Sequence, residues 1–124
     1  MTRFDLDAHI NKTYGVFAER LFQKSPTTAI YRHPAGRKWF AVIMELNPKI
    51  FGIQSDSPIT VVNLKVDPIL GDILRSEEGF YPAYHMNKEN WASIILDGTV
   101  SEELLKTALD ISYDLTKKKT KKHP

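Results

Sequence analysis

The chain predicts a two-layer α+β single domain, an antiparallel sheet with helices packed on it. Three observations carry that reading. Helical periodicity falls at intervals around strand-like runs, those runs follow hairpin logic with Pro, Gly and Asn between them, and no internal repeat or linker divides the 124 residues. The predicted order is α-β-β-β-α-β-β-α.

The first helix spans Asp5 to Tyr14, with Leu6, Ile10 and Tyr14 at helical spacing and Gly15 as a stop. Phe17, Leu21 and Phe22 would continue the stripe if Gly15 were tolerated, up to Ser25-Pro26-Thr27. Between Thr28 and Glu45, two β-rich runs flank His33-Pro34-Ala35-Gly36-Arg37, a hairpin with its turn supplied by proline and glycine. Leu46 to Pro58 reads as a loop or second hairpin whose apolar Ile50, Phe51 and Ile53 need cover.

Ile59 to Val66 alternates as a strand. Val62, Leu64 and Val66 share one face; Val61, Asn63 and Lys65 share the other, which reads as half polar and accessible. Asp67-Pro68 is a strong helix start, since the carboxylate accepts from free amides and proline is preformed for the first turn. Ile69, Leu70, Ile73 and Leu74 are its expected buried stripe. Gly79 ends that segment, Phe80 to Pro82 forms a short strand, and Trp91 to Leu96 a further one before Asp97-Gly98. The last helix follows Ser101 as N-cap, with Val100, Leu104, Ala108, Ile111 and Leu115 on its expected inner side.

Composition, at 42% hydrophobic and 26% charged, is that of one globular core. No apolar run reaches the roughly 18 residues of a membrane span, and the amino terminus lacks a secretory core, so a cytoplasmic location without membrane contact is expected. Cysteine is absent, which excludes disulfides, thiolate catalysis and cysteine-containing zinc sites. Lys117, Lys118, Lys119, Lys121 and Lys122 supply five of the positive charges behind a net charge of +2, which leaves −3 for the rest. The chain therefore divides into a domain over 1–116 and a basic tail over 117–124, and the body is not globally basic. The tail reads either as a polyanion-attracting extension or as a solvated helix end.

Two clusters stand out. Arg32, His33, Arg37, Lys38 and Trp39 gather positive charge and an aromatic at the hairpin, a pattern that grips phosphates and stacks on a base when exposed. The run Pro82-Ala83-Tyr84-His85-Met86-Asn87-Lys88-Glu89-Asn90-Trp91 crowds a histidine, a lysine and two amides between aromatic anchors. Tyr84, His85, Asn87 and Lys88 are its binding candidates, and Asn63 and Lys65 join them if the strands lie close. His85 has three readings: backbone hydrogen bonding at a tight turn, ligand contact, or general-base chemistry. Phosphate-binding glycine loops, a nucleophile elbow and H-E-x-x-H are absent, and the four histidines are scattered. No catalytic residue, metal site or cofactor is expected.

Lys38-Trp39-Phe40-Ala41, Asn63-Leu64-Lys65-Val66-Asp67-Pro68, Pro82-Ala83-Tyr84-His85-Met86-Asn87-Lys88 and Ser112-Tyr113-Asp114-Leu115 occur in that order. Together they resemble the MmcQ/YjbR family of small bacterial proteins, over nearly the whole chain. The resemblance implies a compact domain with an antiparallel sheet and a winged nucleic-acid-binding surface. Two departures bear on that surface: Glu89-Asn90 stands where the family commonly has a basic or histidine residue before the tryptophan, and Leu46 to Pro58 is longer than in shorter relatives. The leading expectation is a cytoplasmic, non-enzymatic binding domain that contacts DNA through the hairpin cluster and the tail. The alternatives are a protein-interaction module or homodimer using the half-polar sheet face or Ile50-Phe51-Gly52-Ile53, and a small-ligand binder or enzyme centred on His85, which requires a pocket at that ring.

Overall fold

A computed structural model describes residues 1–117. Of the expected tail over 117–124, only Lys117 is described; residues 118–124, among them the fourth histidine, His123, lie outside the described residues. The elements are α1 (Arg3–Tyr14), β1 (Ala29–Arg32), β2 (Trp39–Leu46), β3 (Ile59–Lys65), α2 (Pro68–Arg75), β4 (Phe80–Pro82), β5 (Trp91–Ile95) and α3 (Glu102–Thr116), with a short 3-10 turn at Pro48–Phe51. The predicted order holds, and the five strands form one sheet, β1-β2-β3-β5-β4, with every neighbouring pair antiparallel. Among the described residues no helix is long and apolar enough to cross a membrane.

Local chemistry sets the boundaries. Thr2 and Asp5 form a reciprocal capping box at the start of α1, and Gly15 closes it at φ 66°, a left-handed geometry that glycine adopts without steric cost. Asp67 caps α2 and Ser101 caps α3, each accepting a bond from the amide three residues on. The extended α1 reading through Phe22 is not realised. After Gly15 the chain turns back and Glu19 exchanges two backbone hydrogen bonds with Ile30, covering the outer edge of β1.

One face of the sheet carries the main core. Leu6 and Ile10 of α1 and Leu105, Ala108 and Leu109 of α3 pack with Tyr31, Phe40, Ile43, Val62, Leu64 and Ile94. Burying an aliphatic side chain of this size stabilises by about 1.5–3 kcal/mol before entropy is counted. Tyr14 ties the two helices together by stacking on Tyr113, centroids 4.3 Å apart, and donating its hydroxyl to Asp110. Burial pushes the Tyr14 phenol far above its usual pKa.

Three sequence expectations need correction. Ile69 and Ile73 are exposed, 77% and 57%, because eight-residue α2 meets the fold through Gly71 and Leu74 instead. In α3 the buried stripe is Leu105, Ala108, Leu109, Ser112 and Thr116, while Leu104 and Leu115 face outward. The polar residues Ser112 and Thr116 mark the inner face because each meets a buried polar partner. The Val61-Asn63 face of β3 is not accessible: both residues are fully buried. That face holds a second cluster, Ile30, Val42, Met44, Val61 and Ile95, roofed by Phe51 and Ile53 on one side and Tyr84 and Met86 on the other.

A candidate ligand cleft on the second sheet face

The residue run around His85 is fixed to the sheet by two buried polar side chains. Asn63 on β3 pairs with Ser93 on β5. Ser93 Oγ donates to Asn63 Oδ1 at 2.5 Å, Asn63 Nδ2 donates to the Tyr84 carbonyl at 3.0 Å, and the Tyr84 amide donates to Ser93 Oγ at 3.2 Å. This closed ring satisfies every polar group it buries and sets where Tyr84 leaves the sheet. The next residue, His85, has φ 59°, an uncommon left-handed conformation for a residue with a Cβ. Its ring lies tilted on that of Tyr84 with centroids 3.9 Å apart.

Trp39 arrives from the other side. Gly36 and Arg37 both take left-handed φ, 82° and 62°, to turn the hairpin, and an irregular register opposite Arg32 delivers Trp39 to the second face. Phe22, on the segment between α1 and β1, meets Trp39 edge-on at 6.4 Å. Between these groups lies a cleft of about 490 Å³. Val42 and Met44 of β2 line its base, Phe22 and Trp39 stand on one side, and Tyr84, His85 and Met86 stand on the other, with Leu46, Ser25 and Thr28 completing the border. Glu45 also borders it, but strand alternation sends the carboxylate to the opposite face, where it pairs with Arg3 at 3.5 Å. A mostly apolar concavity of a few hundred Å³ with a few fixed polar groups is the usual form of a small-molecule site.

The candidate residues from the sequence separate into two fates. Trp39, Tyr84 and His85 converge on the cleft, and Asn63 stands behind it as its anchor. The basic hairpin cluster does not form an open grip. His33 is only 3% exposed; its Nε2 bonds Thr116 Oγ1 at 2.8 Å and its ring packs on Phe40 and Tyr113, so it belongs to the core. Arg32 makes a bidentate pair with Glu19, at 2.5 and 2.7 Å, and Arg37 approaches the same carboxylate at 3.7 Å. That pairing holds the Glu19 carboxyl below the usual carboxylate range. Lys38 alone of the cluster's cations is exposed with no ion pair among the described residues.

The remaining candidates lie outside the cleft. Lys65 places its ammonium 5.5 Å from the Trp91 ring centre, and its amide donates to Ser112. Asn87 shapes a turn, accepting the Glu89 amide on its side chain and the Trp91 amide on its carbonyl. Lys88 is exposed beside Phe51 and Tyr81, and its carbonyl accepts from Arg75. The Ile50–Ile53 stretch folds back on the sheet, with Phe51 stacked on Tyr81 at 4.7 Å, so most of its apolar surface roofs the chain's own core.

Sequence reasoning missed Phe22, Ser25, Thr28, Val42, Met44 and Met86 as cleft residues. Phe22 carried a usable signal, being a large apolar side chain beyond the end of α1 with no strand of its own. Among the described residues no group of three His, Asp or Glu side chains has the arrangement of a metal site.

These elements define a small α+β domain built on one antiparallel sheet, with helices on one face and two loop segments roofing the other. The chain belongs to the YjbR family, whose model matches residues 12–115. It is 36% identical to the uncharacterized protein YyaQ of Bacillus subtilis, over 94% of this chain and 99% of that one. The uncharacterized protein YjbR of Escherichia coli is 34% identical across a shorter stretch, 42% of this chain and 45% of that one. Among solved structures, a Pseudomonas syringae protein superposes with a TM-score of 0.92 at 34% identity, covering 94% of this chain and 100% of its own. The Deinococcus radiodurans protein DR2400 superposes at 0.70 with 29% identity, over 92% and 77% of the two chains.

Proposed function

We propose that this is a non-enzymatic, cytoplasmic binding domain whose site is the cleft between Trp39 and Tyr84. The observation that carries the reading is convergence. Two separate family-like segments, Lys38-Trp39-Phe40 and Tyr84-His85-Met86, meet at one concavity, and two fully buried polar residues serve to hold the second segment there. Burying Asn63 and Ser93 costs desolvation free energy that only a complete hydrogen-bond set offsets, so the placement of Tyr84 is tightly specified. Preorganised walls of this kind reduce the entropy lost when a ligand is taken up. Binding is preferred over catalysis because the His85 ring packs tilted against the Tyr84 ring, with no nucleophile or carboxylate bonded to it among the described residues.

Titration with the uncharged dye Nile red tests this reading. Saturable blue-shifted emission that is lost in Met44→Trp, which fills the base of the cleft, is the expected result. Emission without saturation, or saturation indifferent to Met44→Trp, overturns it.

The nucleic-acid reading is weaker on the folded body, because Glu19 engages two of the three hairpin guanidinium and ammonium groups and His33 is internal. What supports it is the lysine-rich end of the sequence, whose attraction for polyanions would be electrostatic and salt-sensitive.

A further inference from the structure

We infer that the cleft takes an uncharged, flat, two-ring heteroaromatic molecule that presents a carbonyl or ring-nitrogen acceptor. This inference rests on the ligand-binding reading above and names its ligand class.

Shape and charge both lead there. The side walls are rings: Trp39 and Phe22 on one side, Tyr84 with the His85 imidazole on the other. Aromatic faces reward a planar guest through dispersion and edge or offset stacking. Met44 and Met86 add thioethers that adapt to a ring edge. No Lys, Arg or Asp side chain borders the cleft among the described residues, and the Glu45 carboxylate is turned to the other face of the sheet. A ligand carboxylate or phosphate would therefore lose its hydration with no cation to replace it.

The polar handle is a hydroxyl pair. Ser25 Oγ and Thr28 Oγ1 lie 2.6 Å apart at the cleft border, and Thr28 is nearly buried. Two hydroxyls bonded to each other consume one of their two protons, so the pair keeps one hydrogen to donate. The complementary ligand group is an acceptor. A turn in which the Thr28 amide donates to the Ser25 carbonyl at 3.0 Å fixes that pair relative to β1.

The test uses three probes of like size at pH 8, followed by amide chemical shifts in a ¹⁵N-labelled full chain: coumarin, which is neutral and carries a carbonyl; coumarin-3-carboxylate, the anionic version; and naphthalene, which lacks the acceptor. Coumarin is expected to shift the amides of Thr28, Met44 and Tyr84 to Met86 to saturation, with at least tenfold weaker binding of the carboxylate. Thr28→Val, which deletes the hydroxyl at nearly constant volume, is expected to lower coumarin affinity to that of naphthalene. Carboxylate binding as tight as coumarin overturns the uncharged class, and equal binding of naphthalene and coumarin to the unaltered protein overturns the acceptor. If coumarin fails while Nile red saturates, the ligand class is wrong and the cleft reading stands. If both fail, the cleft reading falls and takes the class with it.

Discussion

Asn63 and Ser93 face one another across the β3–β5 ladder, both without solvent exposure, and between them they bind the amide and the carbonyl of Tyr84. The pair links the sheet to the cleft: hydrogen-bond chemistry inside the core decides where an aromatic wall stands outside it. Asn63→Ala would leave the Tyr84 carbonyl and one bond of Ser93 unsatisfied in a dry site, which costs about 1–3 kcal/mol per orphaned group. Urea denaturation is expected to show a loss of that size, and Nile red affinity is expected to fall with it. In a double-mutant cycle, Asn63→Ala and Ser93→Ala together should cost well under the sum of the two single changes. Full additivity would mean the two residues act separately.

The order of elements was legible in the sequence because local chemistry writes it: Gly15, Asp67-Pro68 and Ser101 each mark a helix boundary through their own backbone or cap. The faces were less legible. Ile69 and Ile73 form as good an apolar stripe as Leu70 and Leu74, and only the position of α2 at the β4 end of the sheet chooses between them. Asn63 read as exposed because a polar residue on a strand usually is, and its partners lie 21 and 30 residues away. The cleft needed the strand order β2-β3-β5, which brings Trp39 and Tyr84 to one face from 45 positions apart in sequence.

Ser112 is expected to matter for stability more than for binding. Its hydroxyl donates to the Phe40 carbonyl at 2.5 Å and accepts the Lys65 amide at 2.8 Å, bridging the ends of β2 and β3 from α3. Ser112→Ala removes both bonds and leaves a buried carbonyl and amide unpaired, an expected cost of about 2–4 kcal/mol from two orphaned groups. Nile red affinity measured well below the lowered melting temperature should stay close to that of the unaltered protein. A change in that affinity comparable to the effect of Asn63→Ala would contradict the separation of the two roles.

Stability is expected to decline in mild acid. Burial lowers the pKa of His33, an effect opposed by its bond to backbone at Tyr113, and burial likewise lowers that of His9. A histidine held neutral in the fold binds fewer protons than it does in the unfolded chain, so stability rises with pH through this range. The contribution is complete above the unfolded value near pH 6.5 and is lost as pH falls through it and on through the lower folded-state value. Urea midpoints measured from pH 8 to 5 should drop for the unaltered protein and drop less steeply, from a lower starting point, for His33→Gln. A flat profile in the unaltered protein would show that neither ring resists protonation.

Duplex DNA binding, measured by fluorescence anisotropy, is expected to depend on the lysine-rich end and to vanish near physiological salt. The folded body offers Lys38 and a half-neutralised Arg37, while Arg32 is committed to Glu19. A chain ending at Thr116 loses five lysines and should lose nearly all affinity at low salt. Arg37→Ala with Lys38→Ala should change binding by much less than the truncation. Glu19→Gln supplies the control, since it frees both guanidiniums from a carboxylate without altering the tail, and a gain in affinity there would show that the hairpin is restrained by that one residue. Retention of tight binding by the shortened chain at about 150 mM salt would instead give the folded domain a nucleic-acid surface of its own.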